Sequence, residues 1–155
     1  MTMWPCDIKV GRKFYYKPIA YYITGASFSH LFIPNKPSIL IIDDDTAILR
    51  TFMRIFQKKG YNVAVAARGE EAIEKLNLRR FDVALIDFCL PDMEGTKLFS
   101  LIEHNSPGTL KIMWSGKIVA QERMSGVDTL LGKPIQPDKL LSIIDSKLKN
   151  RNIEL

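Results

Sequence analysis

At 155 residues the chain is long enough for one complete hydrophobic core and short for two. Its 46% apolar and 25% charged residues are those of an ordinary globular protein and exclude a low-complexity or collagen-like class. The formal charge of +5 argues only weakly for a nucleic-acid face on the main body, because Lys9, Arg12, Lys13, Lys17 and Lys36 against the single Asp7 place +4 of it before residue 37. Cys6 and Cys89 lie far apart with no CxxC or Cys/His spacing, so neither a disulfide framework nor a zinc site is expected, and a reducing cytoplasm is the expected compartment.

Residues 1–36 interleave Trp4, Phe14, Tyr15, Tyr16, Tyr21, Tyr22, Phe28 and Phe32 with basic side chains, without a helical or strand period. Such a segment suits a poorly ordered tail, a cover over the outside of a domain, or upstream sequence outside the functional protein, ahead of a binding arm. Residues 19–33 are too short and too polar to span a bilayer, which takes ~20 apolar residues. Asn35-Lys-Pro37 marks the boundary of a domain expected over 37–150, with a short tail at 151–155.

From Ser38 the pattern alternates regularly. Ser38-Ile-Leu-Ile-Ile42 is an apolar run of strand length, closed by Asp43, Asp44 and Asp45. Ile48, Leu49, Phe52, Met53, Ile55 and Phe56 then recur at helical spacing until Gly60, with Asp45 placed to cap the helix. Residues 62–66 read as a second strand, and a helix opens at Arg68 with acids in its first turn, where the helix dipole favours them. Residues 83–86 form a third apolar strand ending at Asp87, followed by a Leu90-Pro91 and Gly95 loop and a helix over 96–103. Residues 110–114 make a fourth strand ending at Ser115-Gly116, and a weak helix is expected at 119–124. A short strand at 129–131 precedes Gly132-Lys133-Pro134, and 137–149 is the last helix. Strands alternating with helices imply a parallel sheet covered on both faces, with right-handed crossovers.

The carboxylates stand at the carboxyl ends of strands, the edge at which ligands bind in open α/β sheets. Three adjacent acids repel one another, and one helix cap accounts for only one of them. Packed like charges persist where a cation or strong donors neutralise them. An aspartate nucleophile of the phosphatase type calls for a DxDxT run, and Ala47 stands where that Thr belongs.

Asp43-Asp44 after the first strand, Asp87 after the third, Leu90-Pro91 and Gly95 behind it, Ser115 after the fourth and Lys133-Pro134 after the fifth form an ordered set. In this set residues 38–149 resemble the receiver domain of two-component response regulators, close in extent to the stand-alone chemotaxis and sporulation-relay proteins. The resemblance implies a flavodoxin-like doubly wound sheet of order 2-1-3-4-5, which brings all these strand ends to one edge. It also implies that Asp87 accepts a phosphoryl group from a histidine kinase or phosphotransfer protein. Mg²⁺ is the implied cofactor, held by Asp44, Asp87 and the backbone oxygen of Cys89, with Asp43 acting through a water. Lys133 pairs with Asp87 in the resting state and with phosphate afterwards, across a cis Lys133-Pro134 bond. Ser115 donates to the phosphoryl group and makes the loop behind it a switch.

Two departures from the family pattern bear on output. Ser115 and Lys133 stand closer together than in typical members, so the intervening helix is expected to be short, and Leu130 occupies the position of the usual switching aromatic. The expected protein is a single-domain signalling module, monomeric or weakly dimeric, with a downstream protein target, no membrane span and no direct nucleic-acid contact. Its only catalysis is its own phosphotransfer and dephosphorylation. The alternative is a receiver-like interaction module whose phosphorylation is vestigial.

Overall fold

The computed structural model describes residues 36–116 and 125–153, with side chains through Arg151. Expectations for the extension before Lys36 and for the helix at 119–124 lie outside the described residues. The elements in order are β1 (Ser38–Ile42), α1 (Thr46–Lys58), β2 (Asn62–Ala66), α2 (Gly69–Leu78), β3 (Val83–Asp87), a 3-10 turn (Gly95–Leu98), α3 (Phe99–Asn105), β4 (Leu110–Ser115), β5 (Thr129–Gly132) and α4 (Pro137–Ile153).

The strands are all parallel in the order β2-β1-β3-β4-β5, as expected. Ile41 pairs with Leu85 and Leu85 with Ile112, so apolar side chains stack in rows across the sheet. Because strand side chains alternate between faces, each central strand supplies both layers. Leu40, Ile42, Ala84, Ile86 and Met113 pack with Ala72 and Leu76 of α2 and Ile102 of α3. Ile39, Ile41, Leu85, Ile112 and Trp114 pack on the other face with Phe52 and Phe56 of α1 and Leu140 and Ile144 of α4.

Local chemistry ends the elements where they end. Asp45 accepts the Ala47 and Ile48 amides at 2.8 and 3.2 Å and caps α1, as its position suggested. At the other end Gly60 takes φ +88°, Gly60 N–H donates to Gln57 O and Tyr61 N–H to Phe56 O. This is the Schellman arrangement, and the left-handed residue it needs is the glycine.

Several boundaries differ from the sequence reading. Strands β3, β4 and β5 each run one residue further, through Asp87, Ser115 and Gly132, because the ladder continues in the pairs Asp87 with Trp114 and Ser115 with Gly132. The helix expected over 96–103 starts as a 3-10 turn and becomes α-helical only at Phe99. Its first amide, Gly95 N–H, is already committed to Phe88 O, and Lys97 N–H closes a tight turn on Glu94 O. The last helix extends beyond 149 and absorbs the start of the expected tail, since Arg151 is bonded to Gly108 O at 2.6 Å and to Asp128 at 2.8 Å.

Candidate functional site

The carboxyl edge of the sheet gathers residues from β1, β3, β4 and β5. Asp43 follows β1 and is held in line by its N–H donating to Ala66 O at 3.1 Å. The three consecutive aspartates diverge from there. Asp43 turns inward and is fully buried, Asp44 is exposed, and Asp45 is spent on the α1 cap. Asp87 closes β3 and is 7% exposed.

Lys133 reaches this pair from the end of β5. Its Nζ lies 2.6 Å from Asp43 Oδ2 and 3.0 Å from Asp87 Oδ2, and sits 4.9 Å from the centre of the Trp114 ring. The peptide bond to Pro134 is cis, as the family resemblance implies. Lys133 N–H donates to Ser115 O at 2.8 Å, tying the start of the lysine loop to the end of β4, where Ser115 is itself buried. Pairing with Asp87 agrees with expectation, but the sequence reading missed the shorter bond to Asp43. No spacing rule separates the two aspartates as partners. Only the depth of Asp43 in the fold decides it.

Electrostatics follow from this packing. Burial pushes the Asp43 carboxyl above its ordinary 3.8, against the pull of the Lys133 and Asp45 hydrogen bonds, and the neighbouring Asp87 charge adds to the rise. Burial alone depresses the Lys133 ammonium, yet its bonds to Asp43 and Asp87 outweigh that and raise it above 10.5. The lysine is therefore held charged by the two acids.

Among the described residues one ammonium faces these acids, and it does not balance them. Ligand oxygens of Asp43, Asp44 and Asp87 lie within 4.8 Å of one another. Three carboxylates around one lysine leave a surplus of negative charge, and the donors are all hard oxygens. That chemistry fits a small divalent cation such as Mg²⁺ rather than a thiophilic metal. The Cys89 amide donates to Asp87 Oδ1 at a long 3.4 Å, so its backbone runs beside the carboxylate while its thiol is exposed.

The loop carrying Cys89 is closed on itself. Phe88 N–H donates to Trp114 O, Gly95 N–H to Phe88 O, Leu90 N–H to Met93 O, and Cys89 bridges Glu94 in antiparallel fashion. A Cβ on Gly95 would fall on the Asp87 carbonyl oxygen, so only glycine lets the loop return this closely. At the loop's tip Asp92 crosses to another element. Its Oδ1 accepts Gly69 N–H at 2.8 Å and its Oδ2 accepts Glu70 N–H at 2.9 Å. The sequence reading passed over Asp92, whose partners lie more than twenty residues away.

A family model described as the response regulator receiver domain matches residues 39–145. The chain belongs to that family. A CheY-like receiver domain protein from Methanospirillum hungatei is 38% identical, superposes with a TM-score of 0.73 and covers 77% of this chain and 99% of its own. The transcriptional regulatory protein GlrR of Escherichia coli is 31% identical over 120 residues, 74% of this chain but 27% of the relative. The cell cycle response regulator CtrA of Brucella ovis is 28% identical over 110 residues, 68% of this chain and 47% of the relative. The chain thus spans between about a quarter and a half of these two regulators. Receiver domains are the signalling domains of two-component systems, and this one follows the family in fold. Among its described residues no helix is long and apolar enough to cross a membrane.

Proposed function

We propose that residues 37–150 form a phospho-accepting switch: a histidine kinase or phosphotransfer protein delivers a phosphoryl group to Asp87 in a Mg²⁺-dependent reaction, and the changed surface signals to a downstream protein. The observation that carries this reading is Lys133 Nζ 3.0 Å from Asp87, inside a cluster of three carboxylates.

An aspartate carboxylate needs no general base to attack phosphorus. Its difficulty is that an anion must approach an anion. When bound, Mg²⁺ supplies positive charge that offsets the developing phosphoryl charge, and Asp44 and Asp87, with Asp43 behind them and the Cys89 backbone oxygen beside them, are the residues that would hold it. Asp87 Oδ1 is the less engaged oxygen, since its bond from Cys89 is long while Oδ2 carries the Lys133 ion pair. Attack forms the Asp87 O–P bond as the P–N bond to the donor imidazole breaks, and the leaving nitrogen keeps the electron pair. Lys133 transfers its contact from the carboxylate to a phosphoryl oxygen, a charge-assisted bond. Ser115 lies at the end of the adjacent strand, from which its hydroxyl can donate to the same group and draw the loop behind it inward. No phosphate-independent catalysis is required of any of these residues.

Incubation with a small phosphodonor and Mg²⁺ should give a single phosphoryl adduct by intact-mass spectrometry, absent without Mg²⁺ and absent in Asp87→Asn. Labelling unchanged in Asp87→Asn would overturn the assignment.

A further inference from the structure

Helix α2 begins without a cap of its own. Its N-cap position holds Arg68, extended at φ −154° and ψ 164°, and the arginine side chain makes no capping bond. The first amides are accepted instead by both oxygens of Asp92, from the tip of the loop that starts at the phosphoacceptor strand. These backbone donors hold the Asp92 carboxyl below its ordinary value, so the acceptor is a carboxylate, the form a helix N-terminus favours. Glycine at 69 completes the junction, because a Cβ there would fall on the side chain of Met93, which packs against the adjoining core.

Three consecutive features of one loop are thereby linked. Cys89 touches Asp87 and is bridged to Glu94, Leu90 is bonded to Met93, and Asp92 between them is fastened to α2. Without Asp92 the bonds from the loop tip to the α2 amides are lost, while the loop's own Leu90–Met93 bond and Cys89–Glu94 bridge and the Met93 packing remain. We propose that Asp92 is a positioning residue for the cation site: by gripping the first turn of α2 it fixes the Cys89–Glu94 bridge, and through it the Cys89 backbone, beside Asp87. The inference rests on the Mg²⁺-dependent reading above and adds a residue to it that touches neither cation nor phosphate.

A plain helix cap and a positioning tether predict different things, and Arg68 separates them. Serine at 68 would supply a local cap from an already extended backbone. It cannot hold the loop. The experiment is a titration with MgCl₂ alone, followed by Trp114 fluorescence in a Trp4→Phe background, with thermal unfolding measured alongside on Asp92→Ala, Asp92→Asn and Arg68→Ser/Asp92→Ala.

Partners behind metal ligands typically change affinity 10–100-fold. Acting through backbone, Asp92 belongs at the low end, so Asp92→Ala should raise the Mg²⁺ midpoint about tenfold, and Asp92→Asn, which keeps one acceptor oxygen, should raise it less. In the double variant the melting temperature should recover while the midpoint stays high. A midpoint unchanged in Asp92→Ala, or restored by Arg68→Ser, would overturn the proposal and leave Asp92 a cap only. Should Asp92→Ala fail to fold, the Asn variant carries the same test. If the parent protein gives no Mg²⁺ response by fluorescence and no phosphoryl adduct, the functional reading itself fails and this inference falls with it. A normal parent response with unshifted variants fails the inference alone.

Discussion

The two edges of the sheet treat charge in opposite ways. At the amino edge every acid described has a dedicated partner: Asp82 accepts from the backbone and hydroxyl of Ser38, Asp128 from Lys111 N–H and Arg151, and Asp145 from the Tyr61 hydroxyl. Even the buried Lys111 is matched, its ammonium 2.7 Å from Glu103. At the carboxyl edge Asp43, Asp44 and Asp87 cluster together, and among the described residues Lys133 is the one ammonium paired with them, through Asp43 and Asp87. Among the described residues one edge is electrostatically closed and the other is left short of positive charge. Folding accounts for the first, whereas the second fits the cation and the anionic group of the function proposed above.

Mutations that remove one charged partner should therefore have different consequences at the two edges. The largest effect belongs to Lys133→Met. It leaves Asp43 fully buried beside Asp87 with no counter-charge, and loss of one partner of a buried pair costs roughly 3–5 kcal/mol. Urea unfolding should show a loss of about 3 kcal/mol, since Asp44 and part of Lys133 reach solvent, and saturating Mg²⁺ should recover some of it. A loss that Mg²⁺ leaves untouched would mean that the acids do not share a cation site.

Asp43→Asn should act in the other direction. Burial raises the Asp43 carboxyl, so its charged form is less favoured in the folded state than in the unfolded chain, and an amide removes a repulsion with Asp87 while Lys133 keeps its second acid. A gain of about 1 kcal/mol, or a few degrees in melting temperature, is expected together with weaker Mg²⁺ binding. Stability and function would then trade against each other at this edge. Destabilisation by Asp43→Asn would break the contrast.

The smallest effect is at the amino edge, where Tyr61→Phe removes one hydrogen bond and should cost about 0.5–1.5 kcal/mol at neutral pH without altering phosphorylation. Its pH dependence is more telling. Burial, then the bond to Asp145, raises the Tyr61 hydroxyl well above 10.0. The folded state keeps that proton longer than the unfolded chain, so the contribution is complete below pH 10.0 and is lost as pH rises toward the folded value. Lys133, also raised, loses its contribution in the same direction above 10.5. Wild-type stability should therefore fall on the alkaline side, and the Tyr61→Phe variant should fall less steeply, by up to ~1.4 kcal/mol per pH unit. Parallel alkaline limbs in the two proteins would refute the assignment.

Much of this was readable along the chain, and the reasons differ from residue to residue. The run from Val83 to Ile86 is apolar at every position because the strand is covered on both faces, and that pattern placed Asp87 at a strand end. Asp45 was readable as a cap because capping is a contact between near neighbours. The double grip of Lys133 on Asp43 and Asp87 was readable only in half, since the partners come from β1 and β3 and their relative depth depends on the whole core. Arg151 looked like part of a tail because what holds it, Asp128 and Gly108, precedes it by more than twenty residues. Asp92 shows the same limit: its sequence neighbours suggest a turn, and only the assembled βα units put the α2 amides within its reach.

The amino-acid order by itself determined the alternation of strands and helices, the parallel sheet and which acids and which lysine stand at strand ends, because those depend on periodicity and on residues a few positions apart. Tertiary structure decided which aspartate is buried, which oxygen the lysine holds and which carboxylate begins the second helix. Those outcomes turn on desolvation and on distances of about 3 Å between segments far apart in the chain, and such quantities exist only once the layers have packed.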